Sequence, residues 1–264
     1  MNHSFFNKAA VAAVFVISFC TVAKAQDDDK SFRFGLKVTP SVNWLRPDLK
    51  SVEKDGASVR FGYGLITEFK LASVISFVTG VGGDYDGGKL SFKDSVTYYV
   101  KDGSLVAIKS VNITDTTLAH YKLSTRSYKV NYINIPLALK MKTKDIGGIT
   151  YFGSFGGDLG IRTKAKATDT KVDLKVPNGT DYDPTNIDIT KDINLFKMNL
   201  NVGAGIEYNL AGSTSLLVSI NYRRGFITAP KSTSDFLIKG STGTSAFKQS
   251  APTDAIVLTL GMLF

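Results

Sequence analysis

Ala255-Ile-Val-Leu-Thr-Leu-Gly-Met-Leu-Phe264, the last ten residues, decide the fold of this chain. Ile256, Leu258, Leu260, Met262 and Phe264 share one parity and line one face of an extended strand. The opposite parity mixes Thr259 and Gly261 with Val257 and Leu263. An apolar strand that stops on a C-terminal aromatic is expected for the closing strand of a transmembrane barrel, with its outer face against lipid and its last ring at the interface. Phe264 is then the terminal residue of an assembly signal, and the barrel-assembly machinery is a partner.

The same alternation recurs upstream. Strand one, Arg33 to Trp44, sets Phe34, Leu36, Val38, Val42 and Trp44 against Lys37, Thr39, Ser41 and Asn43. Strand two, Arg60 to Leu71, turns Phe61, Tyr63, Leu65, Phe69 and Leu71 outward and Arg60, Gly62, Gly64, Glu68 and Lys70 inward. Strand three, Ile75 to Tyr85, places Asp84 inward. Strand four, Tyr128 to Lys142, starts with Tyr128, Val130 and Tyr132 in phase and then changes to Ile133, Ile135, Leu137, Leu139 and Met141. That slip predicts a bulge near Asn131–Asn134, where Pro136 also removes a ladder donor. Strand five, Ile149 to Lys164, opposes Tyr151, Phe155, Leu159 and Ile161 to Ser154, Asp158, Arg162 and Lys164. Strand six, Phe196 to Leu210, alternates without a break. Strand seven runs from Thr214 to Phe226, and strand eight closes the chain.

Connections alternate as well. Ala72–Val74, Thr143–Gly148 and Ala211–Ser213 are short; Arg46–Ser58, Asp86–Arg126, Ala165–Asp192 and Ile227–Pro252 are long. Short periplasmic turns and long extracellular loops define an eight-stranded antiparallel up-and-down transmembrane β-barrel, an all-β fold. Strand six is also long for a soluble sandwich, whose strands average about 5–6 residues, and Tyr and Phe near the strand ends suit interfacial girdles. Inside the second long connection, Leu90–Val100 and Leu105–Ile113 flank Asp102-Gly103, a hairpin signal. Either parity leaves a charge near mid-run, and a Lys facing lipid at the midplane costs about 2–4 kcal/mol. The hairpin is therefore expected above the membrane, as an extension of strands three and four.

Residues 1–25 read as a cleaved signal peptide: Lys8, an apolar run from Ala9 to Val22, then Ala23-Lys24-Ala25 as a small-x-small site. Residues 26–31 are a short periplasmic lead-in, and 32–264 the barrel domain. The one cysteine, Cys20, lies in the signal, so the mature chain is expected to hold no disulfide and no thiolate site. The apolar run is shorter than the about 20 residues a spanning helix needs. The chain carries 32 Lys+Arg against 23 Asp+Glu, a net charge of +9. Scattered Lys in an exported chain argue against a nucleic-acid partner and for anionic lipid headgroups or glycans.

The blocks Phe34-Gly-Leu-Lys-Val38, Tyr132-Ile-Asn-Ile-Pro-Leu-Ala-Leu-Lys140, Tyr151-Phe-Gly-Ser-Phe-Gly-Gly-Asp-Leu-Gly160 and Gly203-Ala-Gly-Ile-Glu-Tyr208 resemble the PorT-like outer-membrane β-barrel proteins of Bacteroidetes-type bacteria. Many members carry Glu where this chain has Asn134. The resemblance implies an eight-stranded barrel in the outer membrane. It also implies a link, for one member type, to a secretion system for cell-surface proteins.

The inward face carries both charge signs: Lys37, Arg60, Glu68, Lys70, Asp84, Lys140, Asp158, Arg162, Glu207 and Arg223. Arg60, Glu68, Asp84, Asp158, Arg162, Glu207 and Arg223 are the candidates for salt bridges inside the lumen. An eight-stranded barrel is just wide enough for its own side chains to fill it, and charges of mixed sign can pair there. The competing reading of the same residues is an ion path. Inward glycines (Gly62, Gly64, Gly80, Gly82, Gly203 and Gly205) either ease strand curvature or leave a narrow cavity.

Enzyme chemistry is weakly signalled. His120, the histidine outside the signal, has Ser124 and Asp115 nearby in sequence but no nucleophile motif. Asp181-x-Asp183 lacks the rest of a calcium loop. No cofactor and no metal are expected. Asp94-Ser-Val and Asp115-Thr-Thr match a short glycosylation pattern. The expectation is a non-enzymatic outer-membrane scaffold or interaction component of the cell envelope, linked to secretion. A small passive pore and a surface-loop hydrolase remain the alternatives. Outer-membrane lipid and other envelope proteins are the expected partners.

Overall fold

The computed structural model describes residues 31–48, 52–101, 104–107, 120–175, 185–230 and 250–264. The signal peptide, residues 26–30 of the lead-in, and Asp115, Asp181 and Asp183 lie outside the described residues. Among the described residues, thirteen strand segments form one antiparallel sheet. They are β1 (Phe32–Val38), β2 (Ser41–Leu45), β3 (Val52–Lys54), β4 (Ser58–Arg60), β5 (Gly62–Ala72), β6 (Ile75–Lys101), β7 (Ser104–Ala107), β8 (His120–Lys142), β9 (Ile149–Lys175), β10 (Ile187–Asp188), β11 (Phe196–Ala211), β12 (Thr214–Gly225) and β13 (Thr253–Leu263).

These segments make eight staves in a closed ring. β1 and β2 form one stave, broken at Thr39-Pro40, and both pair with β13 in one register, from Leu36↔Met262 to Val42↔Ile256. β4 and β5 form the second, broken at Phe61. The ring continues through β6, β8, β9, β11, β12 and β13, and β13 returns to β1. The terminal residue fastens the seam: the amide of Phe264 donates to the Phe34 carbonyl at 2.7 Å. Closure pairs the ladder groups at both edges, which lipid requires. β3, β7 and β10 are short additions paired with β6, β6 and β9.

The lipid belt follows the expected parity. Phe34, Leu36, Leu65, Ile135, Leu137, Phe155, Met198, Val202, Ile220, Leu258 and Leu260 all turn outward and are exposed. At the periplasmic end, Phe32 stacks near Phe34 and Phe69, and Phe34 meets Phe264 with ring centroids 5.8 Å apart. Tyr63 and Tyr85 pair at the opposite edge. They form the two aromatic girdles of a spanning barrel.

Three staves run far past the belt. β6 and β9 have 27 residues each and β8 has 23, whereas spanning needs about 9–11. Strand three therefore continues past Tyr85 to Lys101, strand four begins at His120 rather than Tyr128, and strand five continues past Lys164 to Lys175. β7 pairs back on the end of β6, with Lys101 opposite Ser104, so this segment extends strand three above the membrane and the ring stays at eight staves.

The expected phase slip in strand four does not occur. Tyr128, Val130, Tyr132, Asn134 and Lys140 all point inward along one uninterrupted pleat. What changes is the surroundings. Below Tyr132 the outside is lipid and the inside polar; above it the outside is water and the inside apolar. Polarity inverts while the backbone does not, and in sequence that inversion looks like a slip of one. The bulge lies on the neighbouring strand: Asn131 pairs with Lys164 and Tyr132 with Arg162, leaving Thr163 unpaired. That bulge turns Lys164 outward into solvent, against the inward placement expected for it.

Candidate functional site in the barrel interior

The interior is layered. Nearest the periplasm, β1, β5, β8 and β11 bring Arg33, Glu68, Lys140, Lys142 and Glu207 together. Arg33, directly opposite Glu68 in register, donates from Nη2 to Glu68 Oε2 at 2.9 Å and to Glu207 Oε2 at 2.8 Å. Lys140 Nζ reaches Glu68 Oε2 at 3.1 Å and also pairs with Glu207; Lys142 pairs with Glu68 and lies 3.5 Å from Glu207. Glu68 and Lys140 are each 2% exposed. Two carboxylates are thus shared among three cations, so neither Glu68 nor Glu207 is uncompensated. Lys140 Nζ also sits 4.2 Å from the ring centre of Phe152. Phe152 belongs to an apolar layer with Ile66, Leu217 and Leu263.

A second ionic cluster lies toward the extracellular edge of the belt. Asp84 Oδ2 accepts from Lys197 Nζ at 2.7 Å and from Arg223 Nη1 at 2.5 Å. Asp86 accepts from Lys197 at 2.8 Å and from Asn43 Nδ2 at 2.7 Å. Arg223 Nε lies 3.4 Å from Asp158 Oδ2, which also receives Asn201 Nδ2 at 3.3 Å. Above this cluster the interior becomes apolar: Leu45, Leu90, Phe92, Tyr128, Val130, Ala165, Ala167 and Ile193 pack together. Embedded beside them, Arg126 and Asp169 form a two-pronged pair.

Of the seven candidates, the structure brings Glu68 and Glu207 into the first cluster and Asp84, Asp158 and Arg223 into the second. Arg60 and Arg162 turn elsewhere: Arg60 Nη2 donates to the Tyr128 carbonyl at 3.0 Å and Arg162 Nη1 to the Ile193 carbonyl at 2.6 Å. Arg60 closes β4 and Arg162 lies within β9 opposite the segment that leads into β11, and each fork reaches a backbone carbonyl. Phe264 lies at the seam. Sequence reasoning missed Arg33, Lys142, Asp86, Lys197, Arg126 and Asp169 as pair members. Lys197 already stood on the inward parity of strand six, and Leu90 and Phe92 share parity with Asp84 and Asp86, a signal that the strand continues inward-facing.

Gly64 and Gly82 face each other in register at the curve between β5 and β6. A Cβ on Gly64 would lie 2.5 Å from the Val81 carbonyl oxygen and 2.6 Å from the Gly82 Cα. The glycines serve close approach of strands rather than an opening. Among the described residues there is no cluster of metal-ligating side chains. His120 opens β8, and its side chain lies outside the described part of the structure.

The family model for the outer membrane protein β-barrel domain matches residues 24–229. No curated protein matches the chain. Similar solved structures include Neisserial surface protein A, at 9% identity over 89% of this chain and 96% of that one, with a TM-score of 0.40. OprG from Pseudomonas aeruginosa is similar at 8% identity over 88% and 95%, with a TM-score of 0.41. The outer-membrane protease OmpT from Escherichia coli is similar at 9% identity over 92% and 99%, with a TM-score of 0.34. Scores this low add nothing to what the closed ring and the family match already establish.

Proposed function

We propose, since the chain belongs to the outer membrane protein β-barrel domain family, that it is a non-enzymatic scaffold of the outer membrane whose extracellular wall docks another envelope protein. One observation carries this reading: β6, β8 and β9 run to two or three times the length that spanning requires. A barrel that only had to span would not stabilise that wall with a buried Arg126–Asp169 pair and an apolar lining. The PorT-like resemblance supports a partner in the export of cell-surface proteins. A photo-crosslinker placed at Lys89 or Lys129, which point outward above the belt, is expected to capture one discrete species in native outer membranes. The same probe at Leu137, facing lipid, is expected to capture none. Equal, diffuse labelling at both sites overturns the scaffold reading.

A second reading, a small pore, is favoured by buried polar atoms without a partner among the described residues, namely Asn134 Oδ1, Asn199 Nδ2 and Asn201 Oδ1, which water would satisfy. Purified protein in planar bilayers separates the two. The scaffold reading expects silence, because both ionic clusters bridge facing staves; stable single-channel steps would establish a pore.

A further inference from the structure

We propose that the lipid-facing rim of the barrel carries a binding site for the phosphate of an outer-leaflet lipid headgroup, held between Arg46 and Arg224. A groove of about 500 Å³ opens there, where the tops of β2, β12 and β13 meet, lined by Arg46, Asp48, Arg224, Phe226 and Pro252 among others. Its position identifies the occupant. Arg224 shares outward parity with Val218, Ile220 and Tyr222 of the lipid belt, and sits one step above the interfacial Tyr222. Phe226, two residues further, is also exposed. An exposed arginine at that height meets headgroups, not acyl chains and not bulk water.

The second arginine is pre-positioned. Arg46 Nη1 donates to the buried Asp254 Oδ2 at 2.8 Å, and its Nη2 to the Gly225 carbonyl at 3.0 Å. Asp254 Oδ1 accepts the Gly225 amide at 3.1 Å, so both carboxylate oxygens are occupied behind the groove. The guanidinium is anchored by these contacts, remains partly exposed and lines the groove. Asp48, the carboxylate of the lining, receives the Ser250 amide at 3.0 Å, which reduces its repulsion of an anion. Arg224 has no ion-pair partner among the described residues. A planar fork anchored from behind and a second exposed fork beside it match a phosphate's oxygens. The acyl chains would lie down the belt over Tyr222, Ile220 and Ile256, which are exposed below the groove.

The site is independent of the scaffold reading and is tested separately. The full-length protein is placed in nanodiscs of phosphatidylcholine containing a minor share of phosphatidic acid, then released for native mass spectrometry. Retention of one phosphatidic acid, several-fold above its share of the bilayer, is expected. Arg224→Gln, an exposed change that leaves the heat-dependent gel shift intact, is expected to abolish the preference, and Arg224→Lys to keep part of it. Arg46→Gln also strips a partner from buried Asp254, so Arg224→Gln is the deciding variant. Inorganic phosphate is added as competitor: a lipid site resists it, because the chains contribute to binding. Equal retention of the two lipids, or a preference that survives Arg224→Gln, overturns the proposal. Displacement of phosphatidic acid by inorganic phosphate at matched concentration would assign the groove to free phosphate and overturn its lipid source.

Discussion

Arg126 and Asp169 stand directly opposite each other on β8 and β9, joined by two parallel bonds, Nε to Oδ1 and Nη2 to Oδ2, each 2.6 Å. Neither side chain exceeds 2% exposure. A buried pair of this kind contributes little net stability, but breaking it strands a charge, at a cost of about 3–5 kcal/mol. Arg126→Met is therefore expected to loosen the extracellular wall, read as faster proteinase cleavage within β8 and β9, with the membrane-embedded part still showing its gel shift. Replacing both partners by apolar residues is expected to restore most of the resistance. If single and double variants are cleaved alike, the pair does not hold the wall.

Tyr128 lies just inside this pair, above the belt, and burial pushes its phenol up to about 12 from the ordinary value of 10, against the opposing pull of the Arg126 charge. The folded state thus holds the phenolic proton more tightly than the unfolded chain does. Its contribution to stability is complete below pH 10 and is lost as pH rises from there toward 12. The difference in phenolate absorbance between the wild type and Tyr128→Phe is expected to titrate near 12. A midpoint at the ordinary value would mean that solvent reaches the ring.

The belt was legible in the sequence because lipid enforces one rule on every stave: Leu65, Leu137, Val202 and Leu258 must face out. The closing strand was legible for the same reason. The wall was not, because above Tyr85 and Tyr132 water replaces lipid and the rule reverses. Leu90, Phe92 and Val130 then looked like a loop or a slip, although their parity continues that of Asp84 and Asn134. The pairing inside the lumen was only half legible. Parity shows that Lys197 and Asp84 both point inward, but which carboxylate meets which cation depends on stagger around the ring. Asp86, placed in a loop, could not be matched to Lys197 or Asn43. Parity likewise cannot show that the forks of Arg60 and Arg162 reach the carbonyls of Tyr128 and Ile193.

Asp84 takes one bond from Lys197 and another from Arg223 through the same oxygen. Asp84→Asn keeps the volume and removes the charge, leaving two buried cations with Asp86 and Asp158 alone. The expected result is a loss of a few kcal/mol, seen as a lower temperature for conversion from the compact to the unfolded band in SDS. A double-mutant cycle with Lys197→Met is expected to show strong coupling. Additive effects would mean that the cluster is screened by interior water.

Gly64 and Gly153 offer a matched test of what glycine does in this barrel. A methyl group on Gly64 would press into the backbone of Val81 and Gly82, which cannot swing aside without opening the β5–β6 ladder. On Gly153 the nearest heavy atom would be the Gly203 carbonyl oxygen at 4.0 Å, an ordinary contact. Gly64→Ala is thus expected to cost about 1–3 kcal/mol, measured as the urea midpoint for folding into lipid vesicles. Gly153→Ala is expected to be neutral or slightly stabilising, since it removes backbone freedom from the unfolded chain without a clash. Equal midpoints for the two variants would show that the strands can part at Gly64, and that its glycine serves an opening rather than the curve.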